Sequence, residues 1–417
     1  MLSPSTAAVA LTAAMAGLAT AAAIHTPKVG TFSVAQMANP NFKPDGPAQL
    51  AKTLAKYGAP LPSGLARTMA AAAARRRRRL DARGTGSAEA VPQANDYEYL
   101  TPVSIGTPAR VLALDLDSGS SDLWVFSTLT PAAQVASQTL YGPANSTTAA
   151  AVDGASWRIT YGDQSSCSGV VYRDVVDLGG VVVRGQAVEA ATEVSYEFTA
   201  DSATDGILGL GFGSINTVRP TQEKTWFDNA VAAGQLDAPV WTADLRYQEV
   251  GSYDFGFIDE GKYAGAITYV DVDPSRGFWM TTTSGYAIGN RTFTSAPFRI
   301  IADTGTSLAL LPNDIVKAYY ASVPNAVLND DVGGYVFPCA NARLPDFVLG
   351  LGPARVTIPG RYINYGADSR NQTCFGGIQS DEDVGMSILG DVLLKSAFVV
   401  FDATPGKPRL GWAKKRI

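Results

Sequence analysis

LeuAspSerGlySerSer at residues 116–121 and AlaAspThrGlyThrSer at 302–307 are two versions of one pattern, each entered from an apolar run. IleLeuGly follows both, 90 residues after Asp117 at 207–209 and 85 residues after Asp303 at 388–390. Two elements recurring in the same order at nearly the same spacing indicate a duplicated lobe. In each copy the Asp closes a strand and is followed by a hydroxyl residue and a glycine, Ser118–Gly119 and Thr304–Gly305, so a tight turn sets the direction of the carboxylate. One such turn alone is an ordinary structural feature. Two of them facing each other across a pseudo-two-fold axis bring Asp117 and Asp303 together. Like charges a few ångströms apart cannot both ionise, so the pair shares one proton: one carboxyl is a general acid, the other a general base for a water held between them. Ser120 and Thr306, three residues past each Asp, are placed to hydrogen-bond the outer carboxylate oxygens.

The surrounding composition fits a strand-rich host for these turns. The chain has 417 residues, 46% hydrophobic and 17% charged, with 41 Gly and 24 Pro. That is enough for two or three folded units and argues against disorder or a helical bundle. Short runs such as ThrProValSerIle at 101–105, ValLeuAlaLeuAspLeu at 111–116 and AlaPheValValPhe at 397–401 read as strands, so the body is expected to be mainly β. Short helices are expected near 223–233 and at 312–320, where Asn313 is placed to cap. The single histidine is His25; without it Ser-His-Asp triads, Cys-His pairs and most zinc sites have no imidazole.

The N-terminal part divides into two zones. Residues 1–23 carry almost no charge and end in small residues, as a signal peptide does, although the usual positive start is missing; the plain alternative is an Ala-rich tail. Residues 24–83 hold 11 Lys and Arg against two acids, whereas the body from Gly84 holds 22 basic and 36 acidic residues, a net charge of −14. A basic segment ahead of an acidic body can lie on it as an electrostatic lid. Arg75–Arg79 reads as a processing site behind a signal peptide rather than a nucleic-acid patch.

The motifs together resemble the pepsin-like aspartic proteases, most closely the secreted fungal members of penicillopepsin and aspergillopepsin type. The match runs from about Tyr97 to Ala413, through AspSerGlySerSerAspLeuTrpVal at 117–125, TrpArgIleThrTyrGlyAsp at 157–163, AspGlyIleLeuGlyLeuGly at 205–211, AspThrGlyThrSer at 303–307, IleLeuGlyAsp at 388–391 and ArgLeuGlyTrpAla at 409–413. The pairing of two aspartates around one proton is that family's own chemistry.

The resemblance implies an all-β, two-lobed acid-protease fold with a central cleft and few helices, divided here as 84–262 and 263–417 behind a pro-segment at 24–83. It implies a flap hairpin carrying Tyr161, Gly162 and Asp163, with Trp124 supporting the tyrosine and Ile207 and Phe198 walling the first pocket. Ser118 stands where Thr is commoner, and the hydroxyl is kept. Lys56 and Tyr57 match the pair that blocks the dyad in precursors, making the pro-segment an intramolecular inhibitor released in acid. Cys339 and Cys374 match the family's C-lobe disulfide, and the odd Cys167 reads as a buried small residue. Asp163 matches an aspartate that lets the first pocket accept Lys, the plainer reading being a cap of the flap turn. Period-two alternation puts Asp115 on the same strand face as Asp117.

The expected protein is a secreted, monomeric endopeptidase made as a zymogen, acting on protein and peptide substrates, without cofactor, metal, nucleic-acid or membrane partner. Asn145, Asn290 and Asn371 begin glycosylation sequons. The main alternative is a catalytically silent pepsin-like binding or inhibitor protein. A glycosidase also uses two carboxylates but does not need them in duplicated turns, and Gly209, Gly211 and Gly213 lack the third glycine spacing of a dinucleotide site, since residue 214 is Ser.

Overall fold

A computed structural model of the chain describes residues 30–38, 44–81, 99–160, 166–195, 198–199, 203–341, 343–368 and 373–416. The expected signal peptide, the flap residues Tyr161, Gly162 and Asp163, and Asn371 lie outside the described residues.

The fold is all-β and two-lobed, and each lobe holds its aspartate motif in the same way. In strand Arg110–Asp117, Leu112, Leu114 and Leu116 are buried while Ala113 and Asp115 stay half-buried. Each buried leucine stabilises the strand's seat by about 1.5–3 kcal/mol. This strand runs parallel to Gly206–Gly209, with Asp117 opposite Gly209, and Leu123–Val125 pairs antiparallel on the other side of Gly206–Gly209. In the second lobe Arg299–Ala302 runs parallel to Ser387–Leu389, and Ala309–Leu311 joins Ser387–Leu389 antiparallel at Leu310 and Ile388. The duplicated motifs are therefore duplicated three-strand units. The first lobe extends outward through Val181–Val194, Ser166–Leu178 and Ala150–Thr160 into an eight-stranded sheet.

A six-stranded sheet lies across both halves of the chain. Its order is Phe32–Ala35, Ser252–Phe255, Val240–Asp244, Phe398–Asp402, Arg409–Lys415 and Tyr263–Asp271, so strands from before and after residue 262 pair side by side. Trp241 stacks on Phe401 across the junction, with ring centroids 3.7 Å apart.

Residues 30–38 and 44–69 are woven into this body. Phe32–Ala35 forms one edge of the six-stranded sheet, and Met37–Ala38 pairs with Tyr99 and Leu100. Helix Gly46–Lys56 begins where Asp45 accepts a bond from Ala48 N at 3.1 Å, and it buries Leu50, Ala51, Leu54 and Ala55. Helix Ser63–Asp81, which contains Arg75–Arg79, buries Leu65 completely, and Thr68 Oγ1 donates to the Asp331 carbonyl at 2.5 Å.

The two expected body helices occur as Trp226–Ala232 and Asn313–Tyr320. Thr225 and Asp228 form a capping box at the first. Asn313 does not cap the second. Pro312 takes the N-cap position, which moves Asn313 into the first turn, where its Nδ2 donates to Glu382 Oε2 at 2.6 Å. Cys339 and Cys374 form a disulfide, and Cys167 is fully buried, in one apolar cluster with Trp124 and Trp157. Among the described residues no helix is long and apolar enough to cross a membrane.

Candidate active site

The two aspartate turns meet at the junction of the lobes and are tied to each other by a reciprocal exchange. Ser118 N donates to Thr304 Oγ1 at 3.1 Å, and Thr304 N donates to Ser118 Oγ at 3.0 Å. Each hydroxyl in turn donates across the axis to a carbonyl: Ser118 Oγ to Ala302 O at 2.9 Å, and Thr304 Oγ1 to Leu116 O at 2.5 Å. Ser118 and Thr304 are buried, so these bonds have no competing water.

Glycine is needed at both turns because the lobes approach so closely. A Cβ on Gly119 would stand 2.5 Å from Asp303 Oδ1, and one on Gly305 would run into the Asp117 carboxyl. Neither glycine has a positive φ, so the requirement is space rather than backbone freedom.

Asp117 and Asp303 are buried at 1% and 0% exposure, and each is aimed by its own turn. Gly119 N donates to Asp117 Oδ1 at 2.8 Å and Gly305 N to Asp303 Oδ1 at 3.0 Å. Ser120 Oγ donates to Asp117 Oδ2 at 2.6 Å, and Thr306 Oγ1 donates to Asp303 Oδ2. Lys56 Nζ sits between the carboxylates, 2.7 Å from Asp117 Oδ1 and 2.9 Å from Asp303 Oδ1, and Tyr57 Oη donates to Asp303 Oδ2 at 2.5 Å. Lys56 is the last residue of its helix and Tyr57 the C-cap, so one helix end delivers both groups.

The donor sets make the two carboxyls unlike. Burial pushes Asp303 up, but the Lys56 charge and the bonds from Asp117, Thr306 and Tyr57 outweigh it and hold the group at about 2. Asp117 receives fewer donors, so burial dominates over Lys56 and, with the charge of Asp303, raises it. For Lys56 burial pulls down, yet the two carboxylates prevail and the ammonium is held above its ordinary value.

The expected pocket residues fall around the first turn. Trp124 is buried, with Phe198 edge-on at 5.4 Å and Trp157 stacked at 5.9 Å. Ile207 pairs with Asp115 in the parallel register. Asp115 is half-buried, and its charge reaches Tyr253 and Asp391. Asn145 and Asn290 are exposed, in a 3-10 turn and a hydrogen-bonded turn. Sequence reasoning missed the Ser118–Thr304 exchange; the hydroxyl after each Asp was its only local signal.

The family model for eukaryotic aspartyl proteases matches residues 98–415. Endothiapepsin of Cryphonectria parasitica is 52% identical over 388 residues, covering 93% of this chain and 91% of that protein. Penicillopepsin-2 of Penicillium janthinellum is 46% identical over 410 residues, covering 97% and 98%, and podosporapepsin of Podospora anserina is 47% identical over 394 residues, covering 93% and 92%. With the fold, the paired aspartate turns and these relatives in agreement, the chain belongs to the eukaryotic aspartyl protease family and is an aspartic-type endopeptidase.

Proposed function

We propose that this endopeptidase is made as a latent precursor in which residues 24–83 occupy the cleft, and that Asp117 and Asp303 are its catalytic pair once Lys56 has left. The observation that carries the reading is the position of Lys56 Nζ, within 2.9 Å of an inner oxygen of both aspartates. A water placed there makes the same two contacts. With one proton on the pair, one carboxylate takes a proton from that water as it attacks the peptide carbonyl carbon. The other carboxyl donates its proton to the carbonyl oxygen, and the tetrahedral diol collapses as the amine leaves protonated. An ammonium in the water's place stops the first step.

The sign of the pH response follows from the two carboxyls. The raised Asp117 takes its proton first on acidification, removing one of the two charges that hold Lys56; Asp303 follows only near 2. Protonation elsewhere on the acidic body weakens its attraction for the basic segment in the same direction. Latency therefore belongs to neutral pH and activity to acid.

The same reading takes residues 1–23 as a signal peptide, 84–262 and 263–417 as the two lobes, and the product as a secreted monomer carrying glycans at its sequons. Tyr161, Gly162 and Asp163 form the flap, which with Trp124, Asp115, Ile207 and Phe198 admits large apolar residues and Lys before the scissile bond. The test is to purify the full chain at neutral pH, shift it to about pH 4 and follow cleavage of a denatured protein against the chain's own length. Activity should appear together with loss of about the first 83 residues. Full activity of the uncut chain would overturn the latency.

A further inference from the structure

A second pair of carboxyl groups lies behind the Asp117 turn, and the reaction chemistry does not use it. Asp122 ends the turn that begins at Asp117, and Glu189 sits on strand Val181–Val194 opposite Trp124. They are buried at 2% and 1% exposure. Asn216 joins them: its Nδ2 donates to Asp122 Oδ1 at 3.1 Å and to Glu189 Oε1 at 3.0 Å. The amide's direction is fixed, because Asn216 Oδ1 accepts Val218 N at 3.1 Å and Glu223 N at 2.8 Å.

The bonding separates the roles of the two acids. Asp122 Oδ1 also accepts Thr217 N at 2.8 Å and Thr217 Oγ1 at 2.9 Å, so this carboxyl collects donors suited to a negative charge. Glu189 Oε2 is buried, and no donor of the described residues reaches it. Both carboxyls hang on one amide nitrogen, at 3.1 and 3.0 Å, and both are buried, so the two cannot both carry a charge and the pair keeps one proton. That proton belongs on Glu189, where it satisfies the orphaned oxygen. The facing charges agree. Burial raises both groups; on Asp122 the Thr217 bonds and the charge of Arg219, whose guanidinium donates to Asn216 O and Val218 O, oppose it, whereas Glu223, paired with Arg173, adds to the rise on Glu189.

The pair anchors the far end of the Asp117 turn. Asp122 O accepts Gly209 N at 2.9 Å, Ser121 O accepts Asn216 Nδ2 at 3.3 Å, Ser121 Oγ donates to Phe212 O at 2.7 Å, and Ser120 O accepts Gly211 N at 2.8 Å. Residues 117–122 are thus stapled to 209–216, with the shared proton at the last staple. We propose that Asp122 and Glu189 are positioning residues for the Asp117 turn, joined by one shared proton, and that losing this proton toward neutral pH loosens the turn. The inference rests on the reading of Asp117 as catalytic.

The sign follows from linkage. Burial, then the nearby Asp122, holds Glu189 well above its ordinary value. The folded state therefore binds a proton that the unfolded chain releases, and this stability is complete below the ordinary glutamate range and lost as pH rises through the folded value.

The test compares the acid-activated enzyme, freed of the pro-segment at every pH compared, with its Glu189→Gln and Glu189→Ala variants. Gln keeps a donor toward Asp122 that never titrates. The wild-type melting temperature should fall between about pH 4 and about pH 7, and Glu189→Gln should fall measurably less. In acid, after activation, Glu189→Gln should keep kcat within about threefold of wild type, while Glu189→Ala should lose on the order of tenfold to a hundredfold in kcat with KM little changed. A Gln variant whose melting falls as steeply as wild type would overturn the shared proton, and an Ala variant with wild-type kcat would overturn the positioning role. If Glu189→Ala does not fold, the Gln comparison decides. Turnover by Asp117→Asn would remove the reading of Asp117 without touching the melting comparison, so the two failures are distinguishable.

Discussion

Ser118 and Thr304 hold each other's backbone: the N–H of each donates to the other's hydroxyl, at 3.1 and 3.0 Å, across a separation of 186 residues. The exchange fixes the distance between the two aspartates that precede them. Removing one hydroxyl leaves a buried N–H and a buried carbonyl without their partner, a loss of about 1–3 kcal/mol each. Thr304→Ala should therefore lower the urea midpoint and kcat together. Thr304→Ser should restore most of both, since the hydroxyl alone makes the bonds. A Thr304→Ala protein with wild-type midpoint and turnover would show that the exchange carries no weight.

Latency is expected to depend on the Lys56 charge more than on the Tyr57 hydroxyl. Nζ touches both aspartates, whereas the phenol touches only Asp303. Lys56→Ala should give precursor activity at pH values where the wild-type chain is silent, and Tyr57→Phe should shift the activation pH by less. Equal latency in all three proteins, measured on uncut chain, would show that bulk docking of the segment is sufficient.

Specificity is expected to follow Asp163, on the proposal that its carboxylate lets the first pocket accept Lys. On two peptides differing only in Lys or norleucine before the scissile bond, Asp163→Ser should lose kcat/KM on the Lys peptide selectively, by on the order of 1–3 kcal/mol. An equal loss on both would leave Asp163 as a structural residue of the hairpin.

The disulfide closes a segment between residues 35 apart in the second lobe. Opening it by Cys374→Ser should cost about 3–4 kcal/mol, mostly through the freer unfolded chain. Denaturant titration should show this as a lower midpoint. An unchanged midpoint would mean that packing around Cys374 already fixes the segment.

Features with a local or repeated pattern were legible in the sequence. The paired Asp turns, the strand Arg110–Asp117 with leucines on one face, and the helix Asn313–Tyr320 all declare themselves within a few residues. Features made by approach across the pseudo-axis were not. Nothing near Gly119 tells that its Cβ position borders Asp303, and nothing near Ser118 names Thr304. The same holds for the six-stranded sheet, whose adjacent strands Val240–Asp244 and Phe398–Asp402 are far apart in the chain. Asn313 shows the limit at short range: the cap pattern was there, but the fixed φ of Pro312 took the position.

The central claim is that Asp117 and Asp303 work as one unit through a shared proton. Its most direct measurement is the turnover of a denatured protein in acid by the activated wild-type enzyme and by Asp117→Asn and Asp303→Asn, each free of other proteases. Each variant should lose at least about a thousandfold in kcat, because neither carboxyl can act alone. Wild-type turnover should decline toward neutral pH as the pair loses its proton. Wild-type turnover by either variant would contradict the claim.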